Sequence, residues 1–230
     1  MKTIGIIGGM SAESTVLYYQ IINREINHRL GGNHSAKIIL DSLDFEDIRQ
    51  LQQQGNWAGA AEVLANSAKK LQQASADCVL IATNTMHIIA DAVQNAVSIP
   101  LLHIVDSTAA AIKQHGLQRI ALLGTQFTMQ KNGFYTTKMQ EAGIDMYLPD
   151  EAQQAKINNI IFNELCLNQH NESSRCHLID TIAELKTQGA QGVILGCTEL
   201  CLLINDTNSP LPVFDSTRIH ALAAVNFALH

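Results

Sequence analysis

Two short polar stretches stand where chemistry could be done. "LIATNTMHIIA" (80–90) is an apolar run that gives way to Thr83-Asn84-Thr85, and "GVILGCTEL" (192–200) gives way to Cys197-Thr198-Glu199. Cys197 carries the most chemistry. A thiol between a strand and a helix start is where a depressed pKa is expected, making a thiolate available as base or nucleophile. Thr83 holds the matching position in the first stretch, with a hydroxyl far less acidic than a thiol. Small Thr and Asn side chains at such a point serve equally as helix N-caps or as donors to a bound anion, and the residues alone leave both roles open.

A third stretch, "GIIGGMS" (5–11), raises and excludes dinucleotide binding. Its glycines, Gly5, Gly8 and Gly9, do not match G-x-G-x-x-G, and no Walker pattern occurs, so NAD and ATP are not expected. Gly8 and Gly9 predict a tight strand-to-helix turn whose amides can approach a small anion, with Ser11 or Glu13 capping a helix that begins near Ser14. The nine histidines are scattered, only His87 lies close to a motif, and no Ser-His-Asp spacing can be assigned. Cys197 and Cys201 with a histidine make a weak ligand set, so no metal is expected.

The elements that must position these residues alternate. Strand-like runs occur at 3–7, 37–40, 78–82 and 101–105, and again at 119–123, 145–148, 192–195 and 212–214. Helical periods lie between them, as in 56–74, where Ala60, Val63, Leu64 and Leu71 share a stripe. Apolar strands alternating with helices predict an α/β fold whose parallel sheets are covered on both faces. Ligands in such folds sit beyond the carboxyl ends of the strands, where all three stretches fall.

The two series of strands also echo each other. "TIGIIGG" resembles "RIALLGT", Thr83 matches Cys197, and Asp106-Ser107-Thr108 answers Asp215-Ser216-Thr217, each at a separation of about 110 residues. The expected architecture is two similar, pseudo-twofold-related, doubly wound domains with parallel four-stranded sheets, and an active site in the cleft between them. The first domain is expected over 1–105, with a C-terminal helix of about 216–230 packing back onto it, and the second over 106–215.

Composition bounds the rest. The chain has 230 residues, 47% of them hydrophobic and 16% charged, enough for a sizeable core or two modest ones. A net charge of −6 without clustered Lys and Arg argues against a nucleic-acid partner. The five cysteines include no C-x-x-C pair, which suits a reducing compartment. No signal-peptide pattern or run of roughly 20 apolar residues is present, so a cytoplasmic protein without membrane partners is expected.

"IGIIGGMSAEST", "TNTMH", "LLGTQFTM" and "GCTEL", taken together and in order over essentially the whole chain, resemble the aspartate/glutamate racemase family. The resemblance implies two α/β domains enclosing one amino acid, with one catalytic residue from each strand-end motif and neither pyridoxal phosphate nor metal. It implies that Thr83 and Cys197 flank the substrate Cα, and that Asn84, Thr85, Thr198, Thr125 and the Gly8-Gly9-Met10 backbone contact the substrate. Arg49, Gln52 and Lys156 fall in regions similar to the family's substrate-contacting segments and are expected to meet the distal carboxylate. Similar proteins are commonly homodimers.

A racemase needs two groups, because a single fixed base mainly restores the enantiomer it started from. The sequence departs from the family's two cysteines by placing threonine at position 83. It is similar to the L-aspartate/glutamate-specific branch, in which a Thr/Cys pair occurs, and turnover is expected to start preferentially from the L-enantiomer. A related single-cysteine decarboxylase or isomerase of the same superfamily, and a non-catalytic amino-acid-binding protein, are the alternatives.

Overall fold

The computed structural model describes all 230 residues, which divide into two compact units: Met1–Ile104 with His220–His230, and Val105–Ile219.

The first unit is built on three parallel strands, β1 (Ile4–Gly8), β2 (Ile38–Ser42) and β3 (Cys78–Ile81), in the order β2-β1-β3. Strand alternation divides the apolar side chains between two faces. Ile4, Ile6, Cys78 and Leu80 pack with Tyr18, Ile22 and Ile26 of helix α1 (Ala12–Leu30) and with Ala221, Ala224 and Val225. Ile7, Val79 and Ile81 pack on the other face with Ile48 of α2 (Phe45–Gln53) and with Ala60, Leu64, Ala68 and Leu71 of α3 (Trp57–Gln73). Spacings of three and four residues put each helical set on one stripe, and each isoleucine or leucine fully buried there contributes about 1.5–3 kcal/mol. A short α4 (Ala90–Asn95) follows, and the C-terminal helix α9 (Ser216–Leu229) supplies the alanine stripe.

The α/β class and the parallel sheets are as the sequence indicates, but the first sheet has three strands and not four. The expected strand at 101–105 is reduced to a single parallel bridge, Val79 to Leu101. Helix α5 (Ile104–Gln114) already begins at its fourth residue, so too few residues remain to extend the ladder.

The second unit holds the four-stranded parallel sheet. β4 (Arg119–Gly124), β5 (Asp145–Tyr147), β6 (Gly192–Gly196) and β7 (Val213–Asp215) lie in the order β5-β4-β6-β7. Helices α6 (Phe134–Glu141), α7 (Glu151–Asn163) and α8 (Glu172–Thr187) connect them. Ile120 to Leu123 and Val193 to Leu195 are buried, as expected of strands covered on both faces.

Candidate active site

In the first unit Met10, Thr83, Asn84 and Thr85, expected from the sequence to form the site, lie beyond the carboxyl ends of β1 and β3. The β1 end turns sharply at Gly9, whose φ of +86° and close approach to Leu43 leave no room for a side chain; a Cβ there would lie 2.1 Å from the Leu43 carbonyl oxygen. Thr15 Oγ1 accepts the Gly9 N–H at 2.8 Å, and Ser11 caps α1 by accepting from Ser14 N, so the helix starts at Ala12, two residues before the expected position. Met10 is buried at this turn.

On the neighbouring strand the Ala82 N–H donates to Ile7 O at 2.9 Å, which brings Thr83 beside the Gly8-Gly9 turn. Thr83 is half-buried, and Asn84 and Thr85 are buried. The chain then forms a 3₁₀ turn, Thr85–Ile89, in which the Asn84 side chain makes no capping hydrogen bond. Met86 in that turn receives a hydrogen bond from Gln52 Nε2 at 2.9 Å, which places Gln52 next to the Thr83 motif. Arg49, three residues earlier on α2, is directed otherwise: its Nε and one terminal nitrogen each donate to Glu46 at 2.8 Å.

The second unit repeats the arrangement. Gly124 and Gly196 are register partners at the ends of β4 and β6, so Thr125 and Cys197 emerge side by side. Thr125 is buried, and its carbonyl receives the N–H groups of Thr128 and Met129 at 2.9 and 3.0 Å. Helix α7 is tied to this strand end by Asn158 Oδ1, which accepts from Gln126 N at 3.0 Å. Lys156, also on α7, is exposed, and its charge together with burial holds His177 of α8 below its ordinary value, burial being the larger cause.

Cys197 corrects one expectation. Its thiol donates to Glu199 Oε2 at 2.9 Å, and the same oxygen accepts from Thr198 Oγ1 at 2.6 Å. Burial, then the Glu199 charge, then this hydrogen bond push the Cys197 pKa well above the ordinary thiol value, the reverse of the depressed value the sequence suggests. The reason is local. No α-helix follows β6; a five-residue 3₁₀ turn, Thr198–Leu202, takes its place, with a carboxylate at its second position. So short a turn has little macrodipole, and the nearby negative charge opposes what remains. Cys201, one turn on, donates its thiol to Thr198 O at 2.8 Å and is likewise pushed up, to about 12.

Glu199, which the sequence did not single out, is the side chain in direct contact with the Cys197 thiol. In the α-helix that the sequence suggests after β6, a residue two positions on lies about 200° round the axis from the thiol, and it is the tight turn Thr198–Leu202 that folds this carboxylate back. No three of His, Cys, Asp and Glu converge as a metal-ligand group.

The model of the family described as Asp/Glu/hydantoin racemase matches residues 7–224. The chain belongs to that family. This racemase is similar to a crystal structure described as a candidate Asp/Glu racemase from Yersinia pestis, with 48% identity over the whole of both chains and a TM-score of 0.95. It is also similar to the Pyrococcus horikoshii OT3 structure described as an aspartate racemase homologue, with 34% identity, complete coverage of both chains and a TM-score of 0.87. Among curated relatives, the broad specificity amino-acid racemase RacX of Bacillus subtilis is 28% identical over 72% of this chain and 70% of its own length. No helix of the racemase is long and apolar enough to cross a membrane.

Proposed function

We propose that this racemase interconverts the enantiomers of aspartate or glutamate without pyridoxal phosphate or metal, with Cys197 and Thr83 as the proton-transfer groups. The observation that carries the reading is the hydrogen bond from the Cys197 thiol to Glu199, because it gives the thiol proton somewhere to go. The names of the relatives in Yersinia and Pyrococcus support the substrate class, and that of the Bacillus relative supports amino-acid racemisation.

The chemistry proceeds from the L-enantiomer as follows. The substrate ammonium brings positive charge beside Cys197 and lowers the cost of ionising it. The thiol proton passes to Glu199, the thiolate removes the Cα proton and becomes a thiol again, and the hydroxyl of Thr83, or a water it holds, returns a proton to the opposite face. Thr83 regains its proton from solvent, and Glu199 releases its own there. The backbone amide of Met10, Asn84, Thr85, Thr125 and, once Glu199 has taken the thiol proton, the Thr198 hydroxyl serve as donors that stabilise the charge developing on the substrate carboxylate. Gln52, Arg49 and Lys156 serve the distal carboxylate, Arg49 after release from Glu46. The reverse direction needs the far less acidic Thr83 as base, so the L-enantiomer is the faster starting point. A cytoplasmic homodimer belongs to the same reading, and sedimentation equilibrium tests its assembly.

The deciding experiment follows Cα by NMR in deuterated water with L- and D-aspartate and L- and D-glutamate supplied separately. Deuterium should appear at Cα together with the opposite enantiomer, faster from the L-forms. Binding without exchange from any enantiomer overturns the reading.

A further inference from the structure

His87 lies four residues after Thr83, inside the 3₁₀ turn Thr85–Ile89, and is 3% exposed. Two hydrogen bonds fix its tautomer. Its Nε2 accepts the Ile104 N–H at 3.2 Å, so that nitrogen carries no proton. The proton is therefore on Nδ1, which donates to the Thr83 carbonyl oxygen at 2.8 Å. The ring thus spans from the strand end that bears Thr83 to the first residue of α5.

The surroundings keep the ring neutral. His103 lies against it with centroids 4.6 Å apart, and His220 meets it edge-on at 5.6 Å. His220 is fixed in the opposite tautomer, donating from Nε2 to Leu102 O at 2.6 Å and accepting from the Tyr18 hydroxyl at Nδ1 at 2.8 Å. Burial, then His103, then His220 hold His87 well below the ordinary imidazole value. A second proton on His87 would turn its acceptor nitrogen into a donor facing the buried Ile104 N–H, and the titratable groups acting on the ring, His103 and His220, include no carboxylate to offset it.

We propose that His87 is a positioning residue for proton transfer at Thr83, its neutral Nδ1–H form clamping the Thr83 carbonyl and so fixing the direction of the Thr83 hydroxyl. The clamp does not touch substrate. Thr83 lies two residues beyond the end of β3, in the bend that leads into the 3₁₀ turn, where a free carbonyl would let the peptide rotate and swing the hydroxyl away. Proton transfer is sensitive to displacements of this size, while binding through other residues is not. The proposal rests on the racemase reading above.

Two substitutions separate the two hydrogen bonds. His87→Asn places an amide N–H near the Nδ1 position and keeps the donor to Thr83. His87→Gln reaches toward Ile104 N with its amide oxygen but leaves the Thr83 carbonyl without its donor. With aspartate as substrate, His87→Gln should lose about ten- to a hundredfold in kcat with KM within about twofold of the parent, and His87→Asn should recover most of the loss. Equal losses in both variants, or a loss confined to KM, overturn the proposal. A parent that racemises aspartate beside an unimpaired His87→Gln variant overturns the proposal alone, whereas a parent inert on aspartate and glutamate overturns the racemase reading and the proposal with it. Nitrogen-15 NMR of the parent imidazoles gives a check independent of variant folding: Nδ1 of His87 should stay protonated and Nε2 unprotonated from pH 8 to 5.5. An Nε2–H tautomer, or titration of His87 within that range, overturns the clamp.

Discussion

The Cys197 thiol and the Glu199 carboxylate lie 2.9 Å apart, bridged by the thiol proton. This contact disfavours the thiolate at rest and, in the proposed mechanism, supplies the acceptor for its proton during turnover. Glu199→Gln should have opposite effects on reactivity and catalysis. Removing the negative charge lowers the Cys197 pKa, so alkylation by iodoacetamide near pH 7.5 should be faster than in the parent. Turnover should fall by about ten- to a hundredfold, since the acceptor is gone. Mass spectrometry of Cys197 labelling beside the aspartate assay reads both, and parallel changes would sink the assignment.

Thr83→Cys tests the source of directional bias. The two enantiomers have equal free energies, so kcat/KM must be the same in both directions, and any asymmetry resides in kcat and KM separately. A threonine hydroxyl is the poorer base, so kcat from the L-form should exceed kcat from the D-form in the parent. Thr83→Cys should bring the two kcat values closer together. A ratio that does not move would show that Thr83 does not set the bias.

His220 makes stability depend on pH in a defined window. Burial depresses its pKa from the ordinary 6.5 to about 4. The unfolded chain then binds the extra proton first, so the contribution is complete above pH 6.5 and is lost as pH falls toward 4. At pH 5 the loss is roughly 2 kcal/mol from this group. Asp215, whose carboxyl burial pushes up, acts in the opposite sense, so the comparison must be with His220→Gln. Urea unfolding at pH 7.5, 6 and 5 should show a steeper decline in the parent than in that variant.

Gly9→Ala should damage both fold and site. The left-handed φ and the contact with the Leu43 carbonyl oxygen each oppose a side chain, so a loss of about 2–4 kcal/mol in urea unfolding is expected. The soluble fraction should show a raised KM, because the Met10 loop must shift. Stability equal to that of the parent would mean the turn relaxes without strain.

The sequence by itself determined the elements and the stations of the site. Apolar runs spaced by helical periods predict seven of the observed strands to within a residue or two, and position the strand-end motifs from which Thr83, Thr125 and Cys197 emerge, because these follow from local periodicity. The eighth expected strand failed since "LLHIV" suits a strand or a helix equally, and the early start of α5 decided between them. The ionisation of Cys197 was not legible either. Spacing after a strand suggested a helix dipole, but a dipole needs several aligned turns, and whether five residues form a 3₁₀ turn depends on packing around them. Likewise Arg49 and Gln52 share one turn of α2, yet only the folded surroundings direct one to Glu46 and the other to Met86. Residue type and period are local properties and survive in a string of letters; proton affinity and hydrogen-bond partners arise from groups distant in the chain, and the tertiary structure alone brings those together.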